Sequence, residues 1–77
     1  MELWIRSQDK MLLSRAVDIR IVIEQEGASI IDDTTTYILG MYKSEKRALE
    51  VLDEIQELMR SLCDSDLKII QFEMPQE

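Results

Sequence analysis

Residues 44–63, SEKRALEVLDEIQELMRSLC, decide the fold. Ala48, Val51, Leu52, Ile55, Leu58, Met59 and Leu62 recur at steps of three and four, which gathers them on one side of a helix. Glu50, Asp53, Glu54 and Glu57 fall on the opposite side. Such a helix needs an apolar surface beneath it and turns an acidic surface outward. Ser44 suits the N-cap, because its hydroxyl accepts from an orphan amide of the first turn. Glu45 stands where the helix dipole favours an anion. Arg47 replaces the Glu or Gln of a full capping box. Lys46 and Glu50, four apart, can pair. The helix is predicted to end around Asp64, Ser65 and Asp66.

Working outward, the flanking segments read as strands. Glu2 to Arg6 alternates, with Leu3 and Ile5 on one side and Glu2, Trp4 and Arg6 on the other. Residues 7–10 are polar and form a turn. Met11 to Ala16 is either a returning strand or a helical turn. Val17 to Gln25 alternates with β-branched residues, placing Val17, Ile19, Ile21 and Ile23 on the core side and Asp18, Arg20, Val22 and Glu24 on the other. Glu26-Gly27 supplies a turn, because glycine tolerates positive φ. Ser29 to Asp32 is a short strand, and Asp32-Asp33 a second turn. Thr35 to Tyr42 is again β-rich, with Tyr37, Leu39 and Met41 on one side and Thr36, Ile38 and Tyr42 on the other. A last strand from residue 67 or 68 to Met74 aligns Ile70, Phe72 and Met74, and Pro75 stops it. Residues 75–77 are expected to fray. The order β-β-β-(β)-α-β, strands segregated from one helix, implies an α+β fold. The simplest form is an antiparallel sheet of four or five strands with the helix across one face.

Residues 1–77 form a single domain on length. A core this small is marginal, buries only roughly 60% of the unfolded surface, and gains from a staple or a second subunit. Cys63 is the lone cysteine and histidine is absent, so neither a disulfide nor an ordinary zinc staple is available. A homodimer is the remaining expectation. With 45% hydrophobic residues the chain is globular. No apolar run is long enough to span a bilayer, and MELWIRSQDK lacks the pattern of a signal peptide. A cytoplasmic protein is therefore expected, and one free cysteine fits that compartment. The net charge is −7. Residues 21–77 carry thirteen acidic against five basic side chains. That sign disfavours direct nucleic-acid binding and an anionic membrane, and suits solubility or a partner with a basic surface.

No catalytic site is predicted. Without histidine, Ser-His-Asp chemistry and histidine acid–base catalysis are excluded. Cys63 lies in the last helical turn beside Asp64, where dipole and carboxylate both oppose a thiolate, so it reads as structural. Glu50, Asp53, Glu54 and Glu57 share a face, but a cation needs ligands from a second element, and none is signalled. No metal or cofactor is expected, and Gly27 and Gly40 stand alone rather than in a phosphate loop. The four acids remain as protein-contact candidates, against the simpler reading of a solvated face. Trp4, Arg6, Arg20 and Val22 fall opposite the core side of their strands, which a single helix leaves uncovered. They are candidates for an interface or a ligand. Alternatively, Trp4 folds over a sheet edge and packs.

WIRSQDK (4–10), LGMYKSEKRALEVLDEIQ (39–56) and FEMP (72–75) resemble a family of small proteins encoded in phages and prophages of Gram-positive bacteria. The resemblance covers most of the chain, with residues 11–36 the variable part. It implies a phage accessory context and carries over no catalytic or binding residue. By analogy of context, it suggests an antagonist of host defence, such as an anti-CRISPR or anti-restriction protein. The leading expectation is thus a non-enzymatic protein that binds a host or phage protein. The alternatives are a sponge for a nucleotide signal, using Arg6 and Arg20 on phosphates and Trp4 on a base, or a minor structural or assembly component of the phage.

Overall fold

The computed structural model describes residues 2–62 and 69–77. Among them the order is β1 (Glu2–Arg6), β2 (Leu13–Ala16), β3 (Ile19–Glu24), β4 (Gly27–Asp32), β5 (Ile38–Tyr42), α1 (Glu45–Ser61) and β6 (Ile69–Glu73). The fold is α+β, as expected. The sheet arrangement differs from the single antiparallel sheet of four or five strands. Six strands form two three-stranded sheets, β2-β1-β6 and β3-β4-β5. β1 pairs antiparallel with β2 and parallel with β6, so Leu3 lies between Ala16 and Ile70, and Ile5 between Ser14 and Phe72. Alternation says which face of a strand is apolar but not which strand lies beside it. A parallel partner must be reached by a crossover, and here most of the chain separates β1 from β6.

Met11 to Ala16 resolves as a strand, β2. The third strand is shorter than predicted, because the chain changes sheets at Val17 and Asp18. Val17, expected in the core, is 72% exposed, and Ile23 at the other end is 64% exposed. β5 carries a bulge: Ile31 faces Ile38 while Ile30 faces Gly40, leaving Leu39 as the extra residue. The bulge breaks the predicted alternation. Leu39, Gly40 and Tyr42 are buried, whereas Tyr37, Ile38 and Met41 are exposed.

In α1, the Arg47 amide donates to the Ser44 hydroxyl at 3.1 Å, the predicted cap. Ala48, Val51 and Ile55 are buried, and Leu58 and Leu62 pack against the core. Met59, assigned to the same stripe, is 38% exposed and stays outside the core cluster. Cys63, the predicted helix end at residues 64–66 and the predicted strand start at 67 or 68 lie outside the described residues.

One apolar cluster joins all the layers. Leu3, Ile5 and Ile70 come from the first sheet, Ala28, Ile30, Leu39 and Tyr42 from the second, Ala48, Val51 and Ile55 from α1, with Met74 beyond β6. Each fully buried aliphatic side chain contributes on the order of 2 kcal/mol. Two polar ties cross between the sheets. The Ser14 hydroxyl donates to Asp32 Oδ2 at 2.9 Å, while the Thr34 amide donates to Oδ1 at 3.0 Å, so the buried carboxylate has a partner on each oxygen. In the β1–β2 loop, the Gln8 amide donates to the Leu39 carbonyl at 2.7 Å and Gln8 Oε1 accepts from the Met41 amide at 2.9 Å. Gln8 thereby occupies the outer edge of β5 as a strand residue would.

The residues expected to fray are held in this structure. Gln8 Nε2 donates to the carbonyls of Pro75 (3.1 Å) and Gln76 (2.8 Å). The Tyr42 hydroxyl donates to Pro75 at 2.9 Å, and Arg47 Nε to the Glu77 carbonyl at 2.8 Å. Their partners are distant in sequence, so local composition gave no sign of them.

Candidate functional site

Because the stripe of α1 is spent on the core, its other side is free. Glu50, Asp53, Glu54 and Glu57 are all exposed there, as expected. They are not equivalent. Arg47 pairs with Glu50 at 3.4 Å and Arg60 with Glu57 at 3.4 Å, each three residues apart, and Arg47 replaces the expected Lys46 as the partner of Glu50. No ion pair engages Asp53 or Glu54 among the described residues. Such exposed pairs contribute at most about 0.5 kcal/mol, so they neutralise charge more than they stabilise.

The helix packs mainly on β3-β4-β5, and a shallow, nearly flat groove lies where its Glu54, Glu57, Leu58 and Ser61 approach Phe72, Glu73 and Pro75. Leu58, Phe72 and Pro75 supply its apolar surface, and Glu54, Glu57 and Glu73 its carboxylates. Two of the four predicted acids, Glu54 and Glu57, therefore border this shallow surface. Glu50 and Asp53 lie elsewhere on the same helix side. Phe72, Glu73 and Pro75 were not singled out from sequence. FEMP was visible as a motif, but nothing local places it against a helix some fifteen residues earlier.

Trp4, Arg6, Arg20 and Val22 do not form one surface. Trp4 and Arg6 lie on the outer face of β2-β1-β6, and Arg20 and Val22 on the outer face of β3-β4-β5, because there are two sheets rather than one. Trp4 is half-buried, and its indole donates to Glu2 Oε2 at 3.2 Å. It borders a concavity of about 570 Å³ with Arg6, Lys10, Leu13, Gln71, Phe72 and Glu73. The cations there are partly engaged: Arg6 donates to the Lys10 carbonyl at 3.2 Å, and Lys10 Nζ lies 3.4 Å from Glu73. Arg20 pairs with Asp33 at 2.8 Å. The double-arginine clamp expected for a nucleotide is not assembled, although Lys10 joins Arg6.

Two titrating groups are displaced. Burial pushes the Tyr42 phenol above the ordinary tyrosine value, the Arg47 charge opposes this, and the Glu54 carboxylate adds to it. The Ser7 hydroxyl and then the Met11 amide hold the Asp9 carboxyl below the usual aspartate value. Asp9 thus orders the β1–β2 loop, where Lys10 adopts a left-handed φ of 67°. Among the described residues no three His, Cys, Asp or Glu side chains are grouped to hold a metal ion. Likewise, no described helix is long and apolar enough to cross a membrane.

No protein-family model, curated protein or solved structure matches the chain.

Proposed function

We propose that the chain is a non-enzymatic interaction protein that seats a basic segment of a partner protein in the groove between α1 and β6. One observation carries the reading. Three carboxylates from two elements border an apolar surface of Leu58, Phe72 and Pro75. A partner segment with lysine or arginine around an apolar anchor fits that chemistry, with charge setting recognition and the apolar contact setting affinity. Asp53 and Glu54, which form no ion pair among the described residues, extend the acidic field along the helix. The resemblance to small phage and prophage proteins suggests the setting: a bacterial host's cytoplasm, with a host or phage protein as partner. Blocking a basic surface that a defence system uses for nucleic acid is one role such a groove could serve.

The test is capture from a lysate of a Gram-positive host. The protein is compared with its Glu54→Lys, Glu57→Lys, Glu73→Lys form at moderate salt. The reading expects a retained protein with a basic surface that the triple variant loses. Equal retention by both forms would sink it. Because the three residues are exposed, the variant keeps its fold, which circular dichroism checks.

A further inference from the structure

The outer face of β3-β4-β5, opposite the helix side of that sheet, carries a second surface. β4 is buried on both of its faces. Ala28 and Ile30 enter the common core, whereas Ser29 and Ile31, 1% and 7% exposed, lie on the opposite face of the strand. Val22 on β3 and Ile38 and Met41 on β5 flank them, and Ile38 and Met41 are more than half exposed. Arg20 and Glu24 mark opposite ends of β3 on this face, about 13 Å apart at four strand steps. Both are held in place. Arg20 Nε pairs with Asp33, and the Ser29 hydroxyl donates to Glu24 Oε1 at 2.8 Å.

We infer that this face pairs with the same face of a second copy of the chain. The charge pattern argues for a copy rather than a foreign partner. A two-fold axis lying in the interface and crossing the strands at Val22 keeps each strand over its counterpart and reverses its direction. Arg20 then meets Glu24 of the other copy, and Glu24 meets the other Arg20, while Val22 and Met41, level with each other through Ser29 and so on the axis, meet their own equivalents. Three strands of five or six residues cover roughly 14 by 18 Å, less than the ~800 Å² per partner of a standard interface. The dimer is accordingly a weak one. It stands apart from the groove proposal, since the groove lies on the helix side.

Sedimentation velocity from about 1 µM to about 1 mM tests this, a span that covers weak association. The wild-type chain is expected to shift from monomer to dimer across that range. Arg20→Glu and Glu24→Arg each place like charges face to face and should raise the dissociation constant about tenfold or more. The double variant Arg20→Glu, Glu24→Arg restores opposite charges and should return to within about threefold of wild type. Met41→Asp, at an exposed position that does not bear on folding, should abolish the dimer. A chain monomeric throughout the range, a double swap no better than the single changes, or a dimer that survives Met41→Asp would each overturn the inference.

Discussion

Gly27 opens β4 with a φ of 150°, a conformation that L side chains rarely adopt. A Cβ there would overlap the Tyr42 carbonyl oxygen and lie 3.3 Å from the Lys43 carbonyl carbon. Both obstacles are main chain and cannot swing aside. Gly27→Ala should therefore cost about 2–4 kcal/mol. For a domain of this size that lowers Tm by roughly 10 °C or more, measurable by thermal denaturation. The need for glycine at 27 was legible in the sequence, although the turn itself is Gln25-Glu26 and Gly27 is already strand. Tyr42 offers a second residue-scale test. In a Tyr37→Phe chain it is the one tyrosine left, and its absorbance should titrate above the ordinary tyrosine value. Adding Glu54→Lys should bring the midpoint down, because the Glu54 charge helps hold the phenol neutral. The fold favours the neutral phenol. Its contribution to stability is thus complete below the unfolded value near 10 and is lost as pH rises through the folded one. A midpoint unmoved by Glu54→Lys would contradict the placement of the Tyr42 phenol within reach of the Glu54 charge.

Elements were legible to the degree that their apolar pattern is local. α1 and its Ser44 cap follow from spacing, and β1 and β6 have the predicted faces. The patterns failed where pairing geometry intervened. The bulge at Leu39 shifts the face of everything after it in β5, and an extra residue leaves no mark on composition. The change of sheet at residues 17–18 took Val17 out of the core for the same reason. The β1–β2 loop was read only as polar, yet Gln8 ties it to two other segments, β5 and the tail. Gln8→Ala removes the side-chain bonds to Met41, Pro75 and Gln76 and keeps its amide bond to Leu39. The expected loss is about 1–2 kcal/mol, with faster hydrogen exchange at the Met41 amide. Unchanged exchange at Met41 would show that the edge of β5 is protected by something other than Gln8.

At the scale of the molecule, the two sheets and the helix share one core, and no layer can bury its apolar face without the others. This arrangement separates two surfaces that a single-sheet reading merged. Trp4 and Arg6 share a concavity with Lys10 and Glu73. Arg20 and Val22 lie on the face inferred to pair with a second copy. Glu54 and Glu57 line the groove together with Glu73, which also borders the first concavity. The acidic helix was visible in the sequence because its residues lie at helical spacing. The other wall of the groove was not, since β6 reaches α1 only through the tertiary fold. The central claim is that this groove recognises a basic partner segment. Its most direct measurement is the affinity of the captured partner for purified wild type and for the Glu54→Lys, Glu57→Lys, Glu73→Lys variant, over a series of salt concentrations. Affinity is predicted to fall as salt rises for the wild type, and to be at least about tenfold weaker for the variant. Equal affinities, or a wild-type affinity indifferent to salt, would contradict it.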